Sequence, residues 1–219
     1  MPPTPTKTPT PIPTNTPVPT LTPTQKPTNT PTPSPSPTPS STGGTIYYVS
    51  NSGGNDANAG TSMQTPWKTI TKVNNRPFSP GDSILFKRGD LWTESLQMTS
   101  SGTSTKYITY GAYGDGDRPV LDGDNNTYPG GQWSAFAYIS GSYVIFENFE
   151  VRYASGMGVV NNYGTNNIIR NIYSHHNMEN GILVGYGANN TVVEYSDIYY
   201  NCKSNEFGAS TAGWSTRLS

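Results

Sequence analysis

Three β-branched pairs, Val144-Ile145, Ile168-Ile169 and Val192-Val193, recur at a spacing of 24 residues. Between them Gly158-Val159-Val160 is matched by Gly181-Ile182-Leu183 at a spacing of 23, which implies a one-residue slip within the first unit. Asn177 and Asn201 are again 24 apart, as are Glu179 and Lys203. A period in the low twenties, built from β-branched pairs and Asn/Gly turns, is the length of one turn of a parallel β-solenoid. One coil is too thin to bury its inward side chains alone, so neighbouring coils must stack about 4.8 Å apart and share a continuous core. Leucine-rich repeats have a similar period, but their Leu-x-x-Leu-x-Leu signature is absent. The expected fold is therefore all-β, a parallel β-helix.

The repeat does not extend over the whole chain. Of the 20 prolines, 15 lie between Pro2 and Pro39, whereas all 23 glycines fall at or after Gly43. Apart from Met1, the first 42 residues carry only Ile12, Val18 and Leu21 as aliphatic side chains, too little to offset the entropy of ordering them. Residues 1–44 are thus expected to be a disordered Pro/Thr-rich linker, extended at roughly 3.1 Å per residue, and residues 45–219 a β-helix domain. That domain has 11 basic and 14 acidic residues. This balance provides no electrostatic footprint for nucleic acid or an anionic membrane, and no stretch has the ~20 apolar residues that membrane insertion needs. The single cysteine, Cys202, excludes an intrachain disulfide framework and a cysteine-based metal site.

The alternation from Pro31 to Pro39 resembles the linkers of secreted modular cellulases, xylanases and pectinases, which join a catalytic module to other modules of the same polypeptide. Met1-Pro2-Pro3-Thr4 has neither the basic nor the apolar region of a signal peptide. The expectation is a secreted or cell-surface protein whose export signal lies upstream of this chain.

In the domain, Ile46–Val49 and Ser83–Phe86 read as strands, with short strand candidates at Tyr107–Tyr110, Val120–Asp122, Ala137–Ile139 and Tyr143–Phe146. Thr65-Pro66 offers an N-cap and first position for a short helix carrying Trp67, Ile70 and Val73 on one face. This helix is expected to cap the amino-terminal end of the solenoid. Phe207 to Ser219 show no helix or closing strand, so the β-helix is expected to be truncated at its C-terminus.

Tyr47-Tyr48-Val49-Ser50, Gly60-Thr61-Ser62, Pro66-Trp67-Lys68-Thr69-Ile70, Pro80-Gly81-Asp82-Ser83-Ile84-Leu85-Phe86 and Arg88-Gly89-Asp90 resemble the amino-terminal part of secreted right-handed parallel β-helix proteins of the pectate-lyase-like superfamily. Ile108 to Gly114 and Arg118 to Gly123 continue the resemblance, which covers nearly all of residues 45–209. It implies a right-handed β-helix and a carbohydrate-active module that acts on plant cell-wall or related polysaccharide. The implied activity is that of a lyase or a glycoside hydrolase, with a non-catalytic binding or surface-attachment module as the alternative. Lyases of this superfamily remove the proton next to a uronic carboxylate, commonly with Lys or Arg as base, and often hold Ca²⁺ with Asp and Glu. Glycosidases need two carboxyl groups about 5 to 9 Å apart.

The residues offer only weak matches to either chemistry. Lys203-Ser204 is similar to the base position of some lyases, but Glu179 stands one coil earlier in the same register, the arrangement of a surface ion pair. His176 follows His175 directly. Alternation along a strand would point the two imidazoles to opposite faces, so that they could not bind one metal. Stacking the repeat places Arg152, His175 and Tyr199 in one column, with Tyr153, His176 and Tyr200 beside it. Such a column on an outer face suits either sugar stacking or cross-coil packing. Asp122-Gly123-Asp124 begins like a calcium loop, but Thr127 and Trp133 stand where Gly and a bidentate Glu are required. No metal site is expected, and Ca²⁺ enters only under the lyase reading. Asn177 and Asn201 suit left-handed turn positions with an amide ladder, and Cys202 suits a small buried hydrophobe.

Overall fold

The computed structural model describes residues 43–124, 135–202 and a strand at 216–218. The Pro/Thr tract with its expected disorder, the later part of the calcium-like loop and Lys203 all lie outside the described residues.

The chain winds through three parallel sheets in turn. A first strand, β1 (Ile46–Val49), is followed by a short helix, α1 (Ile70–Asn74). Five coils then repeat the order sheet 1, sheet 2, sheet 3. The first coil comprises β2 (Ser83–Lys87), β3 (Leu91–Trp92) and β4 (Leu96–Met98), and the second β5 (Ile108–Tyr113), β6 (Val120–Asp122) and β7 (Ala135–Ile139). The third comprises β8 (Val144–Glu147), β9 (Glu150–Arg152) and β10 (Met157–Asn162), and the fourth β11 (Ile168–Arg170), β12 (Tyr173–His175) and β13 (Ile182–Gly185). The fifth holds β14 (Val192–Glu194) and β15 (Ser196–Tyr199), and β16 (Thr216–Leu218) comes last. Sheet 1 runs β1-β2-β5-β8-β11-β14, sheet 2 begins at β3 and continues β6-β9-β12-β15-β16, and sheet 3 is β4-β7-β10-β13. This is the expected parallel β-helix with little helix.

Equivalent inward positions stack from coil to coil. In sheet 1 the register aligns Tyr47, Ile84, Tyr110, Phe146, Ile169 and Val193. In sheet 2 it aligns Trp92, Leu121, Val151, Ser174 and Ile198. Most of these apolar side chains lie in one continuous buried core, which is how thin coils obtain the burial that none achieves singly.

The structure revises four details. Ile168 pairs with Ile145, not Val144, so the whole first unit is 23 residues long and contains no internal slip. The helix is capped by Thr69, whose side chain accepts from the Lys72 N–H, and not by Thr65. Asp56 holds the Lys68 and Thr69 amides, and Glu94 those of Ile70 and Thr71. The first-turn donors therefore find carboxylates from distant loops, which no local pattern announces. Within Phe207 to Ser219, β16 pairs antiparallel with β15, Ser196 opposite Leu218, so a closing strand is present. Three residues are too few to show a period. Cys202 is half-buried with φ +63°, and Met178 in the equivalent slot is 37% exposed, so neither is a core hydrophobe.

The turns between sheets explain the Asn/Gly pattern, with one correction. Asn177 is not left-handed; the preceding residues are, with Tyr153, His176 and Tyr200 at φ +53°, +58° and +51°. Asn177 instead forms the expected ladder, its Nδ2 donating to Asn201 Oδ1 at 2.9 Å and its Oδ1 accepting from the Ala154 N–H at 3.0 Å. Gly158 and Gly181 recur because this ladder leaves them no room. A Cβ on Gly158 would lie 2.7 Å from Asn177 Nδ2, and one on Gly181 would lie 2.4 Å from Asn201 Nδ2.

Candidate functional site

Sheet 2 carries the densest array of ionisable and aromatic side chains. Its strands alternate, so Val151, Ser174 and Ile198 face inward while their neighbours face out. One outward column is Asp122, Arg152, His175 and Tyr199. A second, two residues earlier on each strand, is Val120, Glu150, Tyr173 and Asp197. The first contains three residues proposed from the sequence. The acids of both columns and Tyr173 were missed, although Glu150-x-Arg152, Tyr173-x-His175 and Asp197-x-Tyr199 repeat the same two-residue spacing.

The groups are joined in one network. Arg152 donates to Asp122 Oδ2 through Nε at 2.7 Å and to Glu150 Oε1 through Nη1 at 2.6 Å. His175 Nε2 lies 3.2 Å from the same Glu150 oxygen, and its Nδ1 is 2.8 Å from Nδ1 of His176. The two imidazoles thus meet, against the expectation from strand alternation. β12 ends at His175 and the left-handed backbone of His176 turns its ring back toward the same side. One Nδ1 must donate and the other accept, so the two rings cannot both be imidazolium in this arrangement.

Aromatic contacts extend the array across coils. His175 stacks on Tyr199 with centroids 4.8 Å apart and planes 16° apart. His176 sits between Tyr153 and Tyr200, each 5.3 Å away. Arg152 lies 5.5 Å over the Tyr153 ring, and Arg118 lies 3.6 Å over Tyr173 while donating to Asn171 Oδ1. Tyr200 is 54% exposed, so the ladder opens to solvent.

The hydrogen bond from His175 is the largest influence on Glu150; with Arg152 it outweighs burial and holds the carboxyl below its ordinary value. Burial disfavours the charged Arg152, but its bonds to Asp122 and Glu150 prevail and raise it. Burial, reinforced by the Glu150 charge, raises Tyr199.

The other sequence candidates stand apart from this network. Glu179 is exposed in the turn after the Asn ladder, and its ion pair with Lys203 lies outside the described residues. Among the described residues no group of three or more His, Cys, Asp or Glu could hold a metal ion. Asp122 spends one oxygen on Arg152 and the other on the Asp124 N–H, so these residues do not fit a calcium site.

Residues 47–219 match the family model described as the Pel9A-like right-handed β-helix region. Pectate lyase L of Dickeya chrysanthemi is 28% identical over 180 residues, which is 77% of this chain and 40% of that protein. A lacto-N-biosidase of Bifidobacterium longum subsp. longum is 41% identical over 99 residues, or 42% of this chain and 6% of that protein. The crystal structure of pectate lyase Pel9A superposes with a TM-score of 0.59 at 30% identity, covering 74% of this chain and 41% of the other. The chain thus spans less than half the length of these curated relatives.

Proposed function

Because the chain belongs to the Pel9A-like right-handed β-helix family, we propose that it is a carbohydrate-active module whose sheet 2 outer face receives a polysaccharide chain. The observation that carries this reading is the ladder of rings Tyr153, His176 and Tyr200 beside Arg152, His175 and Tyr199. It repeats at the coil spacing and offers stacking faces and polar edges to successive sugars. In the whole protein this face serves a polysaccharide lyase or glycoside hydrolase acting at the cell exterior on plant cell-wall or related polysaccharide. The names of the pectate lyase and lacto-N-biosidase relatives support that class.

A non-catalytic binding module is the second reading, and one observation favours it. Arg152 is held by two carboxylates and both ring nitrogens of His175 are engaged, so neither stands ready as a base. The full chain incubated with polygalacturonate or alginate and calcium separates the readings. Unsaturated products absorbing in the ultraviolet indicate a lyase, and new reducing ends without that absorbance a hydrolase. Retention on the polysaccharide without turnover indicates a binder. Absence of both turnover and retention on acidic and neutral polysaccharides alike would sink the proposal.

A further inference from the structure

A second array lies on the outer face of sheet 3, where nothing in the network of sheet 2 reaches. Here the register aligns Gln97, Tyr138, Val160 and Leu183, and next to them Asn162 and Gly185. No charged side chain belongs to these two columns. Tyr138, Val160 and Leu183 pack with Ala135 and Met157 as an apolar cluster separate from the core. The strand ends in Asn162, whose amide oxygen and nitrogen are both buried without a hydrogen-bond partner. Among the described residues these are the only buried side-chain polar atoms left so. Tyr138 lies against the amide: burial raises its phenol, and Asn162 acts on it in the opposite sense. A buried amide left without partners is costly, and such a group in a folded protein calls for an explanation.

Directly after Asn162, two tyrosines stand at equivalent positions of successive coils. Tyr163 and Tyr186 are each 59% exposed, and the Tyr163 N–H donates to the Tyr186 carbonyl at 3.0 Å. Both have left-handed backbone, φ +66° and +33°. The Tyr163 ring reaches over the next coil, where a Cβ on Gly187 would come within 3.5 Å of its Cδ1. Two exposed phenols one coil apart make a flat, uncharged step about as long as a sugar residue. Beside it lies an amide able both to donate and to accept, as a sugar hydroxyl does.

We propose that Tyr163, Tyr186 and Asn162 form a binding subsite for a neutral, hydroxyl-rich glycan. Pyranose rings stack on the two phenols, and a sugar hydroxyl pairs with the Asn162 amide once the Tyr138 phenol shifts aside. The subsite differs in chemistry from the charged face of sheet 2. It rests on the reading of the chain as carbohydrate-active, and the variants below separate the two.

The test is affinity electrophoresis of the full chain in gels containing hydroxyethyl cellulose, galactan or xylan, with a polygalacturonate gel in parallel. The chain should be retarded in at least one neutral gel. Tyr163→Ala and Tyr186→Ala should each weaken that binding about fivefold, and Tyr163→Phe should retain most of it. Asn162→Leu, a similar shape without polar atoms, should weaken binding while the thermal midpoint holds or rises. Tyr200→Ala should leave neutral-gel retardation intact. Neutral-gel binding that is absent, or unchanged in the double variant Tyr163→Ala/Tyr186→Ala, overturns the subsite. If Tyr200→Ala in that case still abolishes binding to any polysaccharide, the sheet 2 reading survives alone.

Discussion

His175 and His176 touch through their Nδ1 atoms at 2.8 Å because the backbone turns left-handed between them and brings neighbouring side chains to one side. His176 is the middle ring of the ladder that runs from Tyr153 to Tyr200. Asn tolerates the left-handed region, so His176→Asn preserves the turn and deletes the ring. Thermal stability should change by no more than about 1 kcal/mol. Retention on polysaccharide should fall, most clearly with the substrate that the wild-type chain binds best. Retention equal to wild type would remove the ladder from the binding face.

Acid should loosen the same network at Glu150. Its carboxyl is held below the ordinary value of 4.5 by His175 and Arg152 against the opposing effect of burial. A carboxyl with a depressed folded value adds stability that is present above the unfolded value and is lost as pH falls through the folded one. The wild type should therefore lose stability below about pH 4.5, and Glu150→Gln should flatten that part of the profile. Thermal melts between pH 3 and 7 provide the comparison. Profiles of equal steepness would mean that Glu150 carries no such linkage.

The Asn ladder is a third point of failure. Asn177→Ala leaves the Ala154 N–H without the Asn177 oxygen and Asn201 without its donor. A loss of about 2–3 kcal/mol is expected, because buried groups are stranded rather than exchanged for water. Gly181→Ala should cost a similar amount by a different route, since the new methyl would stand 2.4 Å from Asn201 Nδ2. Chemical denaturation of both variants and of their combination tests this. The two act on one contact, so the double variant should lose less than the sum of the single losses.

These details mark the boundary of what residue patterns convey. Coil period, sheet order and the column Arg152, His175, Tyr199 follow from inward apolar pairs that repeat, because stacking forces equivalent positions into register. The joining of that column to Asp122 and Glu150 depends on side-chain reach across coils, and repeat spacing is silent about reach. Left-handed tyrosines were equally invisible. Asn and Gly are the residues that ordinarily signal such a turn, whereas Tyr143, Tyr153, Tyr163, Tyr186, Tyr195 and Tyr200 adopt positive φ here. The stacked coils impose the conformation, so the local preference of Tyr for extended backbone does not prevail.

That imposition can be reversed at Tyr195. It occupies the corner between sheets 1 and 2, where Asn148 and Asn171 stand one and two coils earlier in the same column with φ +67° and +52°. Those two already form a rung, Asn171 Nδ2 donating to Asn148 Oδ1 at 2.6 Å. Tyr195 has φ +50° and is 47% exposed, so its ring contributes little burial to offset the strained backbone. Tyr195→Asn should remove the strain and extend the ladder by one rung, raising stability by about 1 kcal/mol. Tyr195→Gly should relieve the strain without adding the rung and so gain less. Equal midpoints for the Asn and Gly variants would show that the amide ladder adds nothing at this corner. A loss in both would show that the Tyr195 ring packs to more effect than its exposure suggests.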